Sequence, residues 1–206
     1  MFDDFFPATM TDLVPPGVAG EVKVEHFEIS EDEARFGNLR ASMRGDYDAV
    51  VRPGRYVKLV VGGQLMMSDT PMERRTNIDF VRNAKGRVLI AGLGIGMILH
   101  KLEEKPEVTE VVVVEKYPEV VSLVGPTVGP KVKVVTADIF EWKPAKGEKF
   151  DTIYADIWPD ICTDNLKEIT RFKRRFRSSL VPGGWMGAWV EGKLRAYRRQ
   201  ERRSGW

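Results

Sequence analysis

Gly86-Arg87-Val88-Leu89-Ile90-Ala91-Gly92-Leu93-Gly94-Ile95-Gly96-Met97 is the stretch that decides the fold. Val88 to Ala91 is an apolar run without a polar break, which marks a strand covered on both faces, and it runs straight into glycines at 92, 94 and 96. Glycine takes positive φ at little steric cost and lets a ligand approach with no Cβ in the way. The helix that follows leaves its first N–H groups without partners inside the helix. Strand, tight turn and helix start, in that order, form a cradle for a nucleotide-like ligand.

Downstream, the pattern repeats. Further strands are expected at 110–115 (Glu-Val-Val-Val-Val-Glu), 131–135, 150–156 (Phe-Asp-Thr-Ile-Tyr-Ala-Asp) and 185–190, with helices at 96–104 and 118–124 between them. Leu166, Ile169, Phe172, Phe176 and Leu180 fall on one face of another helix, which Pro182-Gly183-Gly184 is expected to end. Strands rich in Val and Ile that alternate with helices need a mostly parallel sheet covered on both faces, an α/β doubly wound, Rossmann-like fold. Ligands of such sheets bind beyond the carboxyl ends of the strands. Glu115, Asp138 and Asp156 stand there, just past the second, third and fourth strands, together with the glycine turn after the first.

Upstream, Pro7, Pro15, Pro16, Gly17 and Gly20 punctuate residues 1–20, read as an arm or loop. Near-alternation of apolar and polar residues over 21–29 suits a strand with one exposed side, and Ser30 with Glu33 gives a capping box opening a helix to residue 44. Residues 56–61 and 64–67 around Gly62-Gly63 read as a hairpin. A second helix opens with Thr70 as N-cap, Pro71 at its first position and Glu73 reaching back, and Met72, Thr76, Ile78 and Val81 form its buried face. The division that follows is an arm, a small β-rich lobe and a linking helix over 1–84, then a cofactor-binding α/β domain with a basic C-terminal segment over 85–206.

Composition removes several classes of function. One cysteine, Cys162, allows no intrachain disulfide, and two histidines far apart in sequence, His26 and His100, make no zinc site, so no metal is expected. No apolar stretch is long enough for a membrane span, and the first six residues are acidic rather than basic, which is unlike a secretory signal; a cytoplasmic location is the expectation. The net charge of +2 hides an asymmetry: from Leu166 onward there are 12 Lys/Arg against 3 Asp/Glu, while the preceding residues hold 20 against 27. A solvated helix face is the simpler reading of the basic segment, and contact with nucleic acid through Arg171-Phe-Lys-Arg-Arg-Phe-Arg177 is the alternative.

Each strand-end residue has a chemical role available. A carboxylate at Glu115 can accept both hydroxyls of a ribose, Asp138 can accept an exocyclic adenine amine while Ile139 packs on the ring, and Asp156 would face the reacting end as the candidate base. Tyr154 and Trp158, two residues to either side of Asp156, could offer ring faces to a cation, and Trp158 could equally be a lid or core residue. The glycine spacing is Gly-x-Gly-x-Gly rather than the Gly-x-Gly-x-x-Gly of dinucleotide-binding turns.

That spacing, with an acid closing the second strand and Ala137-Asp138 after the third, resembles the class I S-adenosylmethionine-dependent methyltransferase superfamily, and within it the spermidine synthase-like group, over about residues 56–190. The resemblance implies S-adenosylmethionine, or its decarboxylated form, as cofactor. It implies cofactor contacts from Gly92, Leu93, Gly94 and Gly96, from Glu115 with the adjacent Lys116, and from Asp138 with Ile139. Gln64 and Asp69 resemble a Gln and an Asp that spermidine synthases bring to the cofactor from the N-terminal lobe, and Asp156 matches their catalytic aspartate. The chain departs from that group after Asp156, where Ile157-Trp-Pro-Asp-Ile-Cys162 replaces Ser-Ser-Asp-Pro-x-Gly-Pro-Ala. The expected function is therefore methyl transfer to a small amine or related acceptor, with aminopropyl transfer as the alternative and a non-catalytic nucleotide-binding protein with a basic partner-binding face as the second. Strands six and seven of the family are expected to be missing, which leaves the substrate side open or completed by a second subunit of a homo-oligomer.

Overall fold

The computed structural model describes residues 5–6, 9–46 and 49–204. Within the expected lead-in arm, residues 1–4, 7 and 8 lie outside the described residues, as do 205 and 206 of the basic segment. The rest of the chain builds two sheets. Strands β1 (Gly17–Ala19), β2 (Val22–Ile29), β3 (Gly54–Val61) and β4 (Gln64–Ser68) form an antiparallel sheet in sequence order. Strands β5 (Gly86–Ala91), β6 (Val108–Glu115), β7 (Val132–Thr136), β8 (Phe150–Ala155) and β9 (Leu180–Ala188) form a wholly parallel sheet in the order β7-β6-β5-β8-β9. Between them run α1 (Glu31–Arg44), α2 (Pro71–Asn83), α3 (Met97–Glu103), α4 (Pro118–Val124), α5 (Asn165–Phe176) and α6 (Glu191–Ser204).

The alternation along the parallel strands shows why both faces need cover. Val88, Ile90, Val111, Val113 and Tyr154 pack on one side with α2, α3 and α4; Leu89, Ala91, Val112, Val114 and Ile153 pack on the other with α5 and α6. Fully apolar strands can sit only in such a doubly covered sheet. Val22, Val24, Val57 and Leu59 of the small sheet belong to the first of these clusters, so the small sheet is packed onto the same face as α2 to α4.

Several expectations are met in detail. Ser30 and Glu33 exchange both bonds of the capping box, at 3.2 Å from the Glu33 amide to Ser30 Oγ and 2.8 Å from the Ser30 amide to Glu33 Oε2. Thr70 is the N-cap of α2 and Pro71 opens it, but Thr70 makes no side-chain cap bond: its Oγ1 pairs with Ser68 Oγ at 3.0 Å, and the buried Glu73 reaches back past Thr70 to the Ser68 amide.

Two expectations are corrected, and a third segment takes its shape. Residues 17–19 of the lead-in form strand β1, paired with β2. Pro182-Gly-Gly does not end a helix: α5 stops at Phe176, a 3-10 turn spans Arg177–Ser179, and β9 already begins at Leu180 with a register irregularity. Proline is tolerated there because β9 is an edge strand, hydrogen-bonded only to β8. The basic C-terminal segment is ordered as α6, with Leu194 buried against α5's face. No strand follows β9 among the described residues, and none of their helices is long and apolar enough to cross a membrane.

Candidate active site

The carboxyl ends of β5, β6, β7 and β8 converge on one cleft of about 470 Å³. Backbone bonds hold the four ends in step: the Gly92 amide donates to Val114 O at 2.9 Å, the Ala137 amide to Glu115 O at 2.8 Å and the Asp156 amide to Ala91 O at 2.9 Å. Gly92 has φ +99°, and a Cβ there would stand 2.2 Å from the Asp156 carbonyl oxygen; Gly94 has φ +54°, and a Cβ there would stand 2.1 Å from Met67 Sδ. Backbone leaves no room for a side chain at Gly92, whereas at Gly94 a side chain would take a strained positive φ and displace the Met67 side chain. Gly96, with φ +75°, caps α3.

Glu115 is 6% exposed and is fixed by backbone donors: its Oε2 accepts the Leu93 amide and its Oε1 the Tyr117 amide, each at 2.8 Å. Burial pushes its pKa up, and the amides of Tyr117, Leu93 and Lys116 oppose that. Each carboxylate oxygen keeps a further lone pair toward the cleft, which suits a vicinal diol. Asp138 accepts the Phe140 amide at 2.8 Å and pairs with Lys116 Nζ at 3.3 Å. The Phe140 amide is the main reason its pKa lies below the usual value, with Lys116 and Arg171 adding to it. Ile139 is buried in the wall, and Arg171 lies over the Phe140 ring at 4.5 Å. The structure thus brings Gly92, Gly94, Glu115, Lys116, Asp138, Ile139 and Asp156 to one cleft; Leu93 is buried behind it and acts through its amide.

Gln64 and Asp69 do not reach the cleft. Gln64 is exposed at the start of β4, opposite Val61. Asp69 is fully buried: its Oδ1 accepts the Val57 amide at 2.7 Å and its Oδ2 pairs with Arg74 Nη2 at 2.9 Å, while Arg74 Nε donates to the Asp69 carbonyl at 2.7 Å. It ties β3 to α2. The hairpin's contribution to the cleft is Met66 and Met67 instead. The β3–β4 register shifts between Leu59 and Val60, so that Leu59 faces Met67 and Val60 faces Leu65, with Met66 as the extra residue. Met67 Sδ then lies on the glycine turn and accepts the Ile95 amide at 3.3 Å.

Asp156 lines the cleft above a buried polar group that the apolar periodicity of α2 conceals. Asn77, with no exposed surface, accepts Tyr154 Oη at 2.9 Å and donates to Asp156. Tyr154 is stacked on Phe80 at 4.0 Å, so its ring is part of the core and does not face a cleft-bound cation. Trp158 does line the cleft, with its indole N–H donated to Glu168 at 2.8 Å. Glu73, 8% exposed, accepts the Ser68 amide. Its pKa is pushed up to about 8, first by burial and then by the charge of Asp156, and burial carries Asp156 to about 7. The signal in the sequence was a polar pair four residues apart, Glu73 and Asn77, on a helix face shared with Val81.

The raised values set the sign of a stability change. These carboxyls release their protons near pH 4 in the unfolded chain and near 7 to 8 in the folded one, so between those limits the folded state holds more protons and stability falls as pH rises. Glu115 acts in the same direction. Glu73→Gln should match the parent at pH 5 and exceed it at pH 8 by on the order of 2 kcal/mol in urea unfolding. Equal pH dependence in the two proteins would mean that Glu73 ionises freely in the fold.

No protein-family model and no curated protein sequence matches the chain. Among solved structures, it is similar to the N-methyltransferase NodS from Bradyrhizobium japonicum WM9 in complex with S-adenosyl-L-homocysteine, at 19% identity over 63% of this chain and 68% of that one, with a TM-score of 0.46. It is also similar to a DhpI–SAH complex, at 23% identity and a TM-score of 0.42, over 57% of this chain and 52% of that one. A third is the CcbJ methyltransferase from Streptomyces caelestis, at 20% identity over 50% of this chain and 41% of that one, with a TM-score of 0.40. The matched region spans about half the length of the DhpI chain.

Proposed function

We propose that the chain is an S-adenosylmethionine-dependent methyltransferase acting on a small acceptor, with the cofactor held in the cleft at the ends of β5 to β8. The observation that carries this is the convergence of Glu115, Asp138 with Ile139, and Asp156 around a glycine turn whose residue 92 has no room for a side chain against the Asp156 backbone. The residues fit such a cofactor: Glu115 for the ribose hydroxyls, Asp138 for the adenine amine, Ile139 for the ring face, and the glycine turn where backbone must come close. The bound cofactor supplies an already activated methyl group. What remains for the protein is to align the acceptor with it, to exclude water, and to hold a proton where the acceptor must lose one. Asp156, at the far end of the cleft from Asp138 along the sheet, is the group for that proton.

Aminopropyl transfer is the weaker reading. Of the residues that favoured it, Gln64 is exposed on the hairpin and Asp69 is committed to Arg74. A nucleotide-binding protein without catalysis has the basic segment in its favour, yet much of that charge is used internally: Lys173 and Arg195 pair with Glu191 at 3.0 and 2.8 Å, and Arg175 caps the carbonyls of Glu141 and Trp142. Isothermal titration with S-adenosylmethionine, S-adenosylhomocysteine and decarboxylated S-adenosylmethionine tests the proposal. Binding of the first two in preference to the third is the expected outcome. Preference for the decarboxylated form would revive aminopropyl transfer, and no binding of any would overturn the cofactor assignment.

A further inference from the structure

A second cavity, of about 500 Å³, lies against the first. Met66 and Met67 line both, and the segment after β8 runs from one into the other: Asp156, Ile157 and Trp158 face the first, and Pro159, Asp160 and Ile161 face the second. We infer that this cavity receives the acceptor, that the acceptor is a small amine carried on an apolar body, and that Glu73 of α2 is the group that recognises its ammonium end together with Asp156. The inference rests on the first cleft being the cofactor site.

The size and lining of the cavity set the body of the ligand. Phe27, Leu65, Met72 and Trp189 contribute apolar surface, and the volume is that of a pocket for a small organic molecule. The charges set its head. Glu73 is nearly buried and lines this cavity, and the charged neighbour that acts on it is a second acid, Asp156. Two carboxyls brought together out of water repel each other when both are ionised, and an ammonium placed between them removes that repulsion. An alcohol of the same shape brings no such gain. Lys58, which also lines the cavity, has its charge met by Glu25 at 3.0 Å and lies over the Phe27 ring at 5.7 Å. A polyamine, with charge along its whole length, would meet Glu73 and Asp160 as the acids of this cavity and would lay its remaining cationic nitrogen against Met66, Met72 and Trp189.

The chemistry balances. The entering ammonium gives one proton to the Glu73–Asp156 pair. The freed nitrogen lone pair forms the bond to the methyl carbon, and the carbon–sulfur bond breaks with its electron pair left on sulfur as a thioether. The positive charge of the sulfonium passes to the methylated nitrogen, which leaves as a methylammonium, and the proton on the carboxyl pair returns to solvent. Glu73 thus raises the capacity of the site to hold a proton from the side of the second cavity, and Asp156 does so from the side of the first.

Calorimetric titration of benzylamine, phenethylamine and cyclohexylethylamine, each against the matching alcohol, tests this on the chain saturated with S-adenosylhomocysteine and on the chain alone. At least one amine should bind saturably in the millimolar range or tighter, with its alcohol at least tenfold weaker. Glu73→Gln should weaken the amine at least tenfold and leave S-adenosylhomocysteine titration unchanged. Met72→Trp, which fills the second cavity without altering charge, should block the amine in the same way. Equal binding of amine and alcohol, amine binding that survives both variants, or no binding by any of the three amines would overturn the inference. Loss of S-adenosylhomocysteine binding with Glu73-dependent amine binding retained would overturn the cofactor assignment alone.

Discussion

Replacing Asp69 by Ala should cost the fold about 3 to 5 kcal/mol, the range for breaking a buried ion pair from one side. The Asp69 side chain has no exposed surface and that of Arg74 is 8% exposed. The carboxylate also accepts the Val57 amide in the middle of β3, so the substitution removes the acceptor of a buried donor as well as the charge facing Arg74. Urea unfolding of the two proteins measures the difference directly. Asp69→Asn, which can still accept from Val57, should recover part of it. A loss under about 1 kcal/mol for the Ala variant would mean that the Arg74 charge is compensated elsewhere.

The second large effect falls on the ligand. Glu115→Ala removes the two oxygens assigned to the ribose, and S-adenosylhomocysteine affinity should drop by about 2 to 4 kcal/mol. The same change strips the acceptor from the amides of Leu93 and Tyr117, which costs the folded chain roughly 1 to 3 kcal/mol for each donor left unpaired in the interior. Glutamine does not rescue it. Its amide nitrogen must face one of those two N–H groups, so Glu115→Gln should also lose affinity and stability, by less than Ala. Parent-like affinity in the Gln variant, measured by calorimetry, would show that the ribose is held elsewhere.

What could be read from the sequence was what local pattern dictates. The apolar run 88–91 entering three spaced glycines, and the acids that close β6 or follow β7 and β8, depend on a strand's pattern and on where it stops, and both are properties of short windows. The misreadings came from long-range geometry. Asp69 and Gln64 were placed by the resemblance to spermidine synthases, whereas the extra residue Met66 in the β3–β4 register brings the two methionines to the cleft and Asp69 pairs with Arg74 of α2. Asn77 escaped notice and Glu73 was read only as a cap because the helix face was scored by its apolar members, and Tyr154 was offered as a ring face for a cation because its partner Phe80 lies on an element far away in sequence. The start of β9 was missed because proline and glycines are breakers in a central strand but not at a sheet edge.

The position of β5 at the middle of the parallel sheet has a consequence for how the chain acquires its site in time. β5 can pair with β6 soon after both are made, but its other edge stays bare until β8 arrives, as the bond from the Arg87 amide to Asp151 across 64 positions shows. Pairings across such separations form late and slowly. Gly92 packs against the Asp156 carbonyl, and the Asp156 amide closes the end of β5, so the glycine turn takes its final shape only when β8 docks. The glycine motif is therefore made before the residue that completes its geometry, and the turn at Gly92 and the strand end at Asp156 depend on each other.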